Sequence, residues 1–424
     1  MYDSAEYKRS RTAYIWQCTV EYFVSILVAD AFLAKLLTQI GISDGLIGII
    51  SSFITLAFLF QLFSIFLVQK IKNVKKTAML FSTLSQLSFG FLFLIPFLPV
   101  GVTAKTVFVI CTILLAYFEN YFVTSIIFKW CNSFVEPSKR ASFSASKEMV
   151  SLITGMAFTL IAGYIIDYFE GINNIKGGFL FIAVSVLILS ICNFVCLALV
   201  KKETEVEDNE IVPFKTVLKN TVGNRSFLNV IILTIMWDVA RYLTIGFLGV
   251  FKTKDLLMSV GMVQIINMIA NLARFALSKP FGKYSDKKTF AKGLELGFII
   301  AAVGFAFNVF TTPATWWCVA VYSLMYAVSM CGINQNLFNI TYSYVDSKYF
   351  VQASAIKNSI GGVCGFGASI LGSKILQYIQ DNNNMLFGIK VYGQQVLSLM
   401  SLIIIIAMIL FVHFVISKQK RMIQ

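Results

Sequence analysis

Three carboxylates, Glu21, Glu119 and Asp238, sit inside long apolar runs of this chain, where an ionised side chain costs about 2.5–3.5 kcal/mol to insert. Acids in such places can hold a proton, bind a cation, or accept hydrogen bonds from a polar solute. Their neighbours suit that chemistry. Gln17, Glu21 and Ser25 recur at i, i+4 and i+8, one face of a helix. Asn120 adjoins Glu119. Gln264, Asn267, Asn271 and Arg274 fall at i, i+3, i+7 and i+10, a polar stripe on an otherwise apolar segment, and Asn334, Gln335 and Asn336 form a second amide group. Arg241 lies one turn after Asp238, so the two can neutralise each other. Trp16 and Trp237 stand close to two of the acids.

Other chemistries lack their residues. The single histidine, His413, lies in the last apolar run, and the eight cysteines form no C-x-x-C pair. No metal-ligand spacing results, no cofactor is expected, and no enzyme activity is expected. Net charge is +14, but the basic residues are confined to short segments. A nucleic-acid binder needs a basic face on a folded soluble module, which excludes that class.

The elements that must carry these acids are membrane spans. Of 424 residues, 58% are hydrophobic and only 13% charged, with 40 Phe and a mean hydropathy of +0.78. Soluble domains carry about 25% charged residues. A bilayer core needs about 20 apolar residues per helix. The runs predict an all-α polytopic membrane protein of twelve helices, at 12–36, 45–69, 77–99, 104–128, 145–167, 178–200, 226–251, 257–279, 290–311, 314–340, 351–376 and 392–417. On that frame the three acids lie roughly 14–18 Å from the basic end of their spans, near the midplane of a ~30 Å core.

Basic residues set the orientation. With the N-terminus cytoplasmic, only Lys105, Lys176, Lys252, Lys254, Lys374 and Lys390 of the 35 Lys and Arg fall outside, and Lys35, Arg241 and Arg274 fall within spans. Both termini are therefore expected inside the cell membrane. Lys348 and Lys357 count with the cytoplasmic segments, which leaves Arg241 as the deep basic group and disfavours an anionic solute. Residues 201–225 open with KKETEVEDNE. They read as a cytoplasmic linker between an N-terminal bundle, 1–200, and a C-terminal bundle, 226–424. Phe214, Val217 and Leu218 mark one apolar face within it.

The halves echo each other. SASK at 144–147 and SAIK at 354–357 open spans five and eleven, and VQKIKNVKK at 68–76 and KYSDKKTFAK at 283–292 precede spans three and nine. Shared offsets of about 210–216 positions suggest duplication. The loop Gly282-Lys-Tyr-Ser-Asp286-Lys287-Lys288 resembles the signature G-x-x-x-D-[RK]-x-G-x-[RK]-[RK] of the major facilitator superfamily. Thr289 replaces its second Gly, and only Lys292 remains of the terminal basic pair. In the first-half copy Gln69 replaces the acid. EPSKRASFS at 136–144 resembles the family's loop before span five. The span-four Arg and the span-five Gly-Pro motif of proton-coupled drug antiporters are absent.

The resemblance implies two pseudo-symmetric six-helix bundles that alternate access to a central site. It places Gln17, Glu21, Glu119, Asn120, Asp238, Arg241, Gln264, Asn267 and Asn271 at substrate binding or coupling. Arg140, Gly282, Asp286, Lys287 and Lys288 would form a cytoplasmic gate, with Asp286 at a helix start facing Ser142–Ser146. The implied function is a secondary active transporter for a small polar solute, sugar-like because amides bond hydroxyls and Trp stacks on sugar faces. Coupling would be to H+ or another cation, with the lipid bilayer as the other partner and a monomer expected. Acids beside Trp also fit an organic cation, so multidrug efflux is the alternative. Asp286→Asn is expected to raise the inward-open population, measured as increased labelling of cytoplasmic-side cysteines; unchanged labelling would refute the gate.

Overall fold

A computed structural model describes residues 4–67, 73–136, 140–201, 223–345, 350–386 and 388–419. The side chains of a few helical positions, Arg140 and Ser142 among them, lie outside that description, as do Gln69 and most of the expected linker with Phe214, Val217 and Leu218. The helices are α1 (Ala5–Leu27), α2 (Asp30–Ile40), α3 (Asp44–Ser51), α4 (Ile54–Leu67), α5 (Val74–Leu92), α6 (Val102–Asn132), α7 (Arg140–Gly171) and α8 (Ile175–Leu199). There follow α9 (Arg225–Tyr242), α10 (Ile245–Val250), α11 (Val260–Lys287), α12 (Phe290–Val309), α13 (Trp317–Tyr344), α14 (Phe350–Asp381) and α15 (Gly393–Phe414). A short hairpin, β1 (Met385–Leu386) with β2 (Ile389–Lys390), lies between α14 and α15.

Among the described residues nine helical segments are long and apolar enough to cross a bilayer, and ten if α1 and α2 count as one span bent by 44°. The remaining expected spans are occupied by α3 with α4 and by α5. The bend follows local chemistry. Asp30 opens α2 with φ +44°, and Gly41, at φ +91°, closes it in the left-handed conformation that glycine adopts without penalty. Polar caps start other helices: Asn73 accepts from Lys76 N, Asn174 from Gly177 N, Asn224 from Phe227 N and Thr289 from Lys292 N. Asn73 and Thr289 stand at equivalent places in the two halves. Thr289, the departure from the family signature, is thus the N-cap of α12.

Two expectations change here. The stretch KPFGKYSDKK forms no loop; α11 continues through Pro280 to Lys287. Asp286 therefore sits in the last turn of one helix rather than the first turn of the next, where the helix dipole disfavours an acid. It is exposed, and it makes no hydrogen bond or ion pair among the described residues.

The chain divides into two compact units. The first comprises Met1–Ile42, Phe60–Ile211 and Ser259–Gln264. In it α1 packs on α7 and α8, and α5 on α6 and α8. The end near the N-terminus is closed by a core of Tyr7, Tyr14, Ile127, Trp130 and Leu197. Basic side chains there finish helix ends. Lys75 Nζ donates to Ala198 O and Val200 O at 2.6 Å each, meeting the open carbonyls of α8, and Arg11 donates to Phe134 O at 3.1 Å. Asp167 on α7 accepts from Val260 N at 2.8 Å and Gly261 N at 2.7 Å, which ties the first turn of α11 into this unit.

The second unit comprises Ser43–Leu59, Val212–Met258 and Ile265–Gln424. There α12 packs on α13 and α15, α9 on α14 and α15, and α3 on α10 and α14. Asp44, buried at the start of α3, accepts from both Lys254 Nζ and Gln380 Nε2 at 2.8 Å. Glycines let α3 and α10 touch: a Cβ on Gly246 would lie 2.6 Å from Gly48 O, a backbone atom that cannot rotate away. Gly246→Ala should cost about 1–3 kcal/mol, read as a lowered melting temperature in detergent, whereas Gly367→Ala, inside α14 with open space around it, should melt no lower than the parent protein.

Candidate functional site

In the first unit one hydrogen-bonded network gathers α1, α5, α6 and α8. Glu21 lies on α1, half-buried, and accepts from Gln17 Nε2 at 2.9 Å and from Asn120 Nδ2 at 2.7 Å. Gln17 Nε2 also reaches Asn193 Oδ1 at 3.2 Å, and Asn193 Nδ2 reaches Ser82 Oγ at 3.0 Å. Thr124 Oγ1 approaches Asn120 Oδ1 at 3.4 Å. Gln17, Asn193 and Ser82 are fully buried, so this part is a packed polar core. Glu21 and Asn120 form its accessible edge. Trp16 is 49% exposed, five residues before Glu21 on α1. Glu119 turns elsewhere: its Oε2 accepts from Ser88 Oγ on α5 at 3.0 Å, and the residue is buried. The network's two deep members, Asn193 and Ser82, were not singled out in the sequence. Asn193 had a readable signal, a lone amide in the apolar run 178–200.

The second unit holds a different cluster. Asp238 on α9 pairs with Arg241 Nη2 at 2.9 Å. Tyr242 lies under that guanidinium, 4.5 Å from ring centroid to Cζ, and Tyr326 on α13 interacts with it electrostatically. Trp237 stacks on Tyr326 with centroids 6.2 Å apart and rings 16° from parallel. Helix α14 approaches through glycine: a Cβ on Gly361 would lie 2.3 Å from Asp238 Oδ2, and one on Gly365 would lie 2.8 Å from Tyr242 Cδ2.

Lys357, counted with the cytoplasmic segments and span ends, is buried on α14, 6% exposed, with Nζ 3.2 Å from Thr341 Oγ1, and it acts electrostatically on Asp238. Arg241 is therefore not the sole basic group acting on Asp238. Lys357's counterpart in the first half, Lys147 of SASK, reaches Tyr14 OH on α1 at 3.2 Å and lies over that ring at 4.6 Å. In both halves the repeated lysine turns inward onto an aromatic and polar core.

The stripe on α11 divides. Gln264 is buried within the first unit, and its Cγ would be 3.3 Å from a Cβ on Gly163 of α7. Asn267, Asn271 and Arg274 belong to the second unit and are half-buried. Arg274 acts electrostatically on Tyr326. Of the amide group on α13, Asn336 is buried and donates to its own helix at Gly332 O, and Gln335 is exposed beside Gly282. Lys287 and Lys288 are exposed. His413 meets Glu295 Oε1 at 3.1 Å, and Lys292 holds Glu295 Oε2 at 2.7 Å.

Residues 18–373 match the family described as the Major Facilitator Superfamily. The chain belongs to that superfamily. Its fold is accordingly an all-α polytopic membrane fold of transporters. Solved structures similar to it include the nucleoside transporter NupG, at 11% identity with a TM-score of 0.71, covering 98% of this chain and 100% of that one. The peptide-family (POT) transporter PepTSo is similar at 9% identity with a TM-score of 0.70, covering 97% and 99%. A bacterial homologue of the human lysosomal transporter Spinster, solved inward-facing, is similar at 11% identity with a TM-score of 0.66, covering 97% and 96%. At these identities the likeness concerns fold alone. No curated protein sequence matches the chain.

The first-unit network has a direct test. Asn193→Leu removes the acceptor of one Gln17 N–H, whose bond to Glu21 remains, and the donor to Ser82 Oγ, at about 1–3 kcal/mol per unsatisfied group. A lowered melting temperature is expected, partly restored by Ser82→Ala, whose removal of the second orphaned group should offset part of the loss.

Proposed function

We propose that this superfamily member is a secondary active transporter that moves a small, hydroxyl-bearing polar solute of the sugar class by alternating access, coupled to H+ or another cation. The observation that carries the reading is the accessible edge formed by Glu21 and Asn120, held rigidly by Gln17, Asn193 and Ser82 behind it. A carboxylate and an amide fixed in this way can accept from and donate to neighbouring hydroxyls, and an exposed indole nearby offers a face for the apolar side of a ring. The support is geometric: an edge backed by fully buried amides keeps its direction when a solute arrives, so little ordering has to occur on binding.

Coupling is assigned to Glu119. Its carboxyl has one hydroxyl partner, Ser88, and no ion pair among the described residues, so a proton or small cation can neutralise it at little structural cost. A second reading, efflux of an organic cation, draws on Glu21 and the exposed Trp16, a carboxylate and an indole five residues apart on α1. It is favoured less, because both carboxylate oxygens of Glu21 are already engaged by amides.

Binding is measured by thermal shift of the purified chain over sugars, nucleosides and cationic dyes, and transport by solute-dependent proton flux in proteoliposomes. Glu21→Gln turns an NH2 toward two amide donors and should weaken the solute at least about tenfold, close to 1.4 kcal/mol. Glu119→Gln should retain binding and flatten the pH dependence of flux. If neither variant changes binding or its pH dependence, the site is elsewhere; stabilisation by dyes alone selects the efflux reading.

A further inference from the structure

The second unit carries an imbalance of buried charge that its own residues do not cancel. Arg241 on α9 and Lys357 on α14 act on Asp238, and the half-buried Arg274 on α11 acts on Tyr326 beside them. One carboxylate, Asp238, faces them, with the neutral phenols of Tyr242 and Tyr326. Asp238 is committed to Arg241 at 2.9 Å. The donors left over are specific. Arg241 Nε is buried and has no hydrogen-bond partner. Lys357 has three N–H donors and one hydrogen bond, to Thr341 Oγ1, and makes no direct ion pair among the described residues. The Arg274 guanidinium has neither hydrogen bond nor ion pair among them.

The unused donors on Arg241 and Lys357, away from water, are unfavourable in the molecule as it stands. They become favourable when an anion enters, because charge-assisted hydrogen bonds are strong where water is excluded. Asp238 does not oppose this. It neutralises Arg241, interacts electrostatically with Lys357, and sets the cluster to accept one or two negative charges rather than three. Gly361, whose Cβ would collide with Asp238 Oδ2, lets α14 come close enough for Lys357 to reach the cluster from the same helix face one turn away.

We infer that the transported solute carries an acidic group, a carboxylate or a phosphate, and that Lys357, Arg241 and Arg274 form the subsite that holds it. The inference rests on the proposal that the chain moves a sugar-class solute, and it narrows that class to sugar acids or sugar phosphates. It replaces the expectation from sequence that an anionic solute is disfavoured, an expectation that rested on Arg241 being alone.

The test is the melting temperature of the full chain in detergent, at constant ionic strength, with glucose against glucuronate and glucose 6-phosphate, and with acetate and inorganic phosphate alone. An acidic member should raise the melting temperature by about 2–4 °C over glucose. Lys357→Gln should abolish that difference while melting no lower than the parent protein, because it removes an unpaired buried charge. Lys357→Arg should keep the difference, and Arg274→Gln should reduce it; both serve if Lys357→Gln does not fold. Whether the carboxylate or the phosphate is preferred names the group. The inference is overturned if no anion out-stabilises glucose in the parent protein, or if the preference survives in Lys357→Gln. Stabilisation by glucose without any gain from acids sinks this inference and leaves the sugar-class reading standing. A preference for acetate or phosphate with no response to any sugar does the reverse.

Discussion

In an apolar medium a polar group must find its partner inside the protein. Water is not there to supply one, and a missing partner costs more than a formed one gains. Most of what distinguishes this chain follows from how it meets that requirement. The first unit meets it in one network, where Glu21, Gln17, Asn120, Asn193 and Ser82 bond one another across four helices, while Thr83 and Gln86 on α5 keep buried polar atoms without a partner. The second unit meets it only in part, leaving donors on Arg241 and Lys357 without acceptors. A satisfied network gives a rigid edge, and an unsatisfied one gives a place where a ligand completes the structure.

The two halves solve related problems with different residues. A lysine at the start of α7 and its equivalent on α14 both point inward, one onto Tyr14 and one toward Asp238. Asn73 and Thr289 both cap the helix after a lysine-rich stretch. Asp167 closes the first turn of α11 by accepting two backbone amides, and Asp44 at the start of α3 accepts from Lys254 and Gln380. Polar groups recur at these places in both parts of the chain, while the pairing chemistry at each differs.

The concentrated lysines also change meaning. Some finish helices, as Lys75 does on the carbonyls of α8. Lys292 holds Glu295 beside His413. Lys287 and Lys288 remain exposed on the last turn of α11 and the position after it, available to lipid headgroups. A count of positive charge treats these residues alike, and only their surroundings separate a helix cap from a surface charge or a buried donor.

The sequence alone determined the fold class, the family and the identity of the polar residues. Length of apolar run and placement of charge depend on composition over some 20 residues, and the bilayer imposes both. It also marked Glu21 with Gln17 and Asp238 with Arg241, because i, i+3 and i+4 spacing puts such pairs on one helix face whatever surrounds them. It did not reveal that Asn120 rather than Glu119 turns to Glu21, that Asn193 and Ser82 complete the network, or that Lys357 is buried. Those are contacts between helices far apart in the chain, set by the rotation of each helix about its axis, and a shift of one residue turns a side chain by about 100°. Tertiary packing alone sets that rotation.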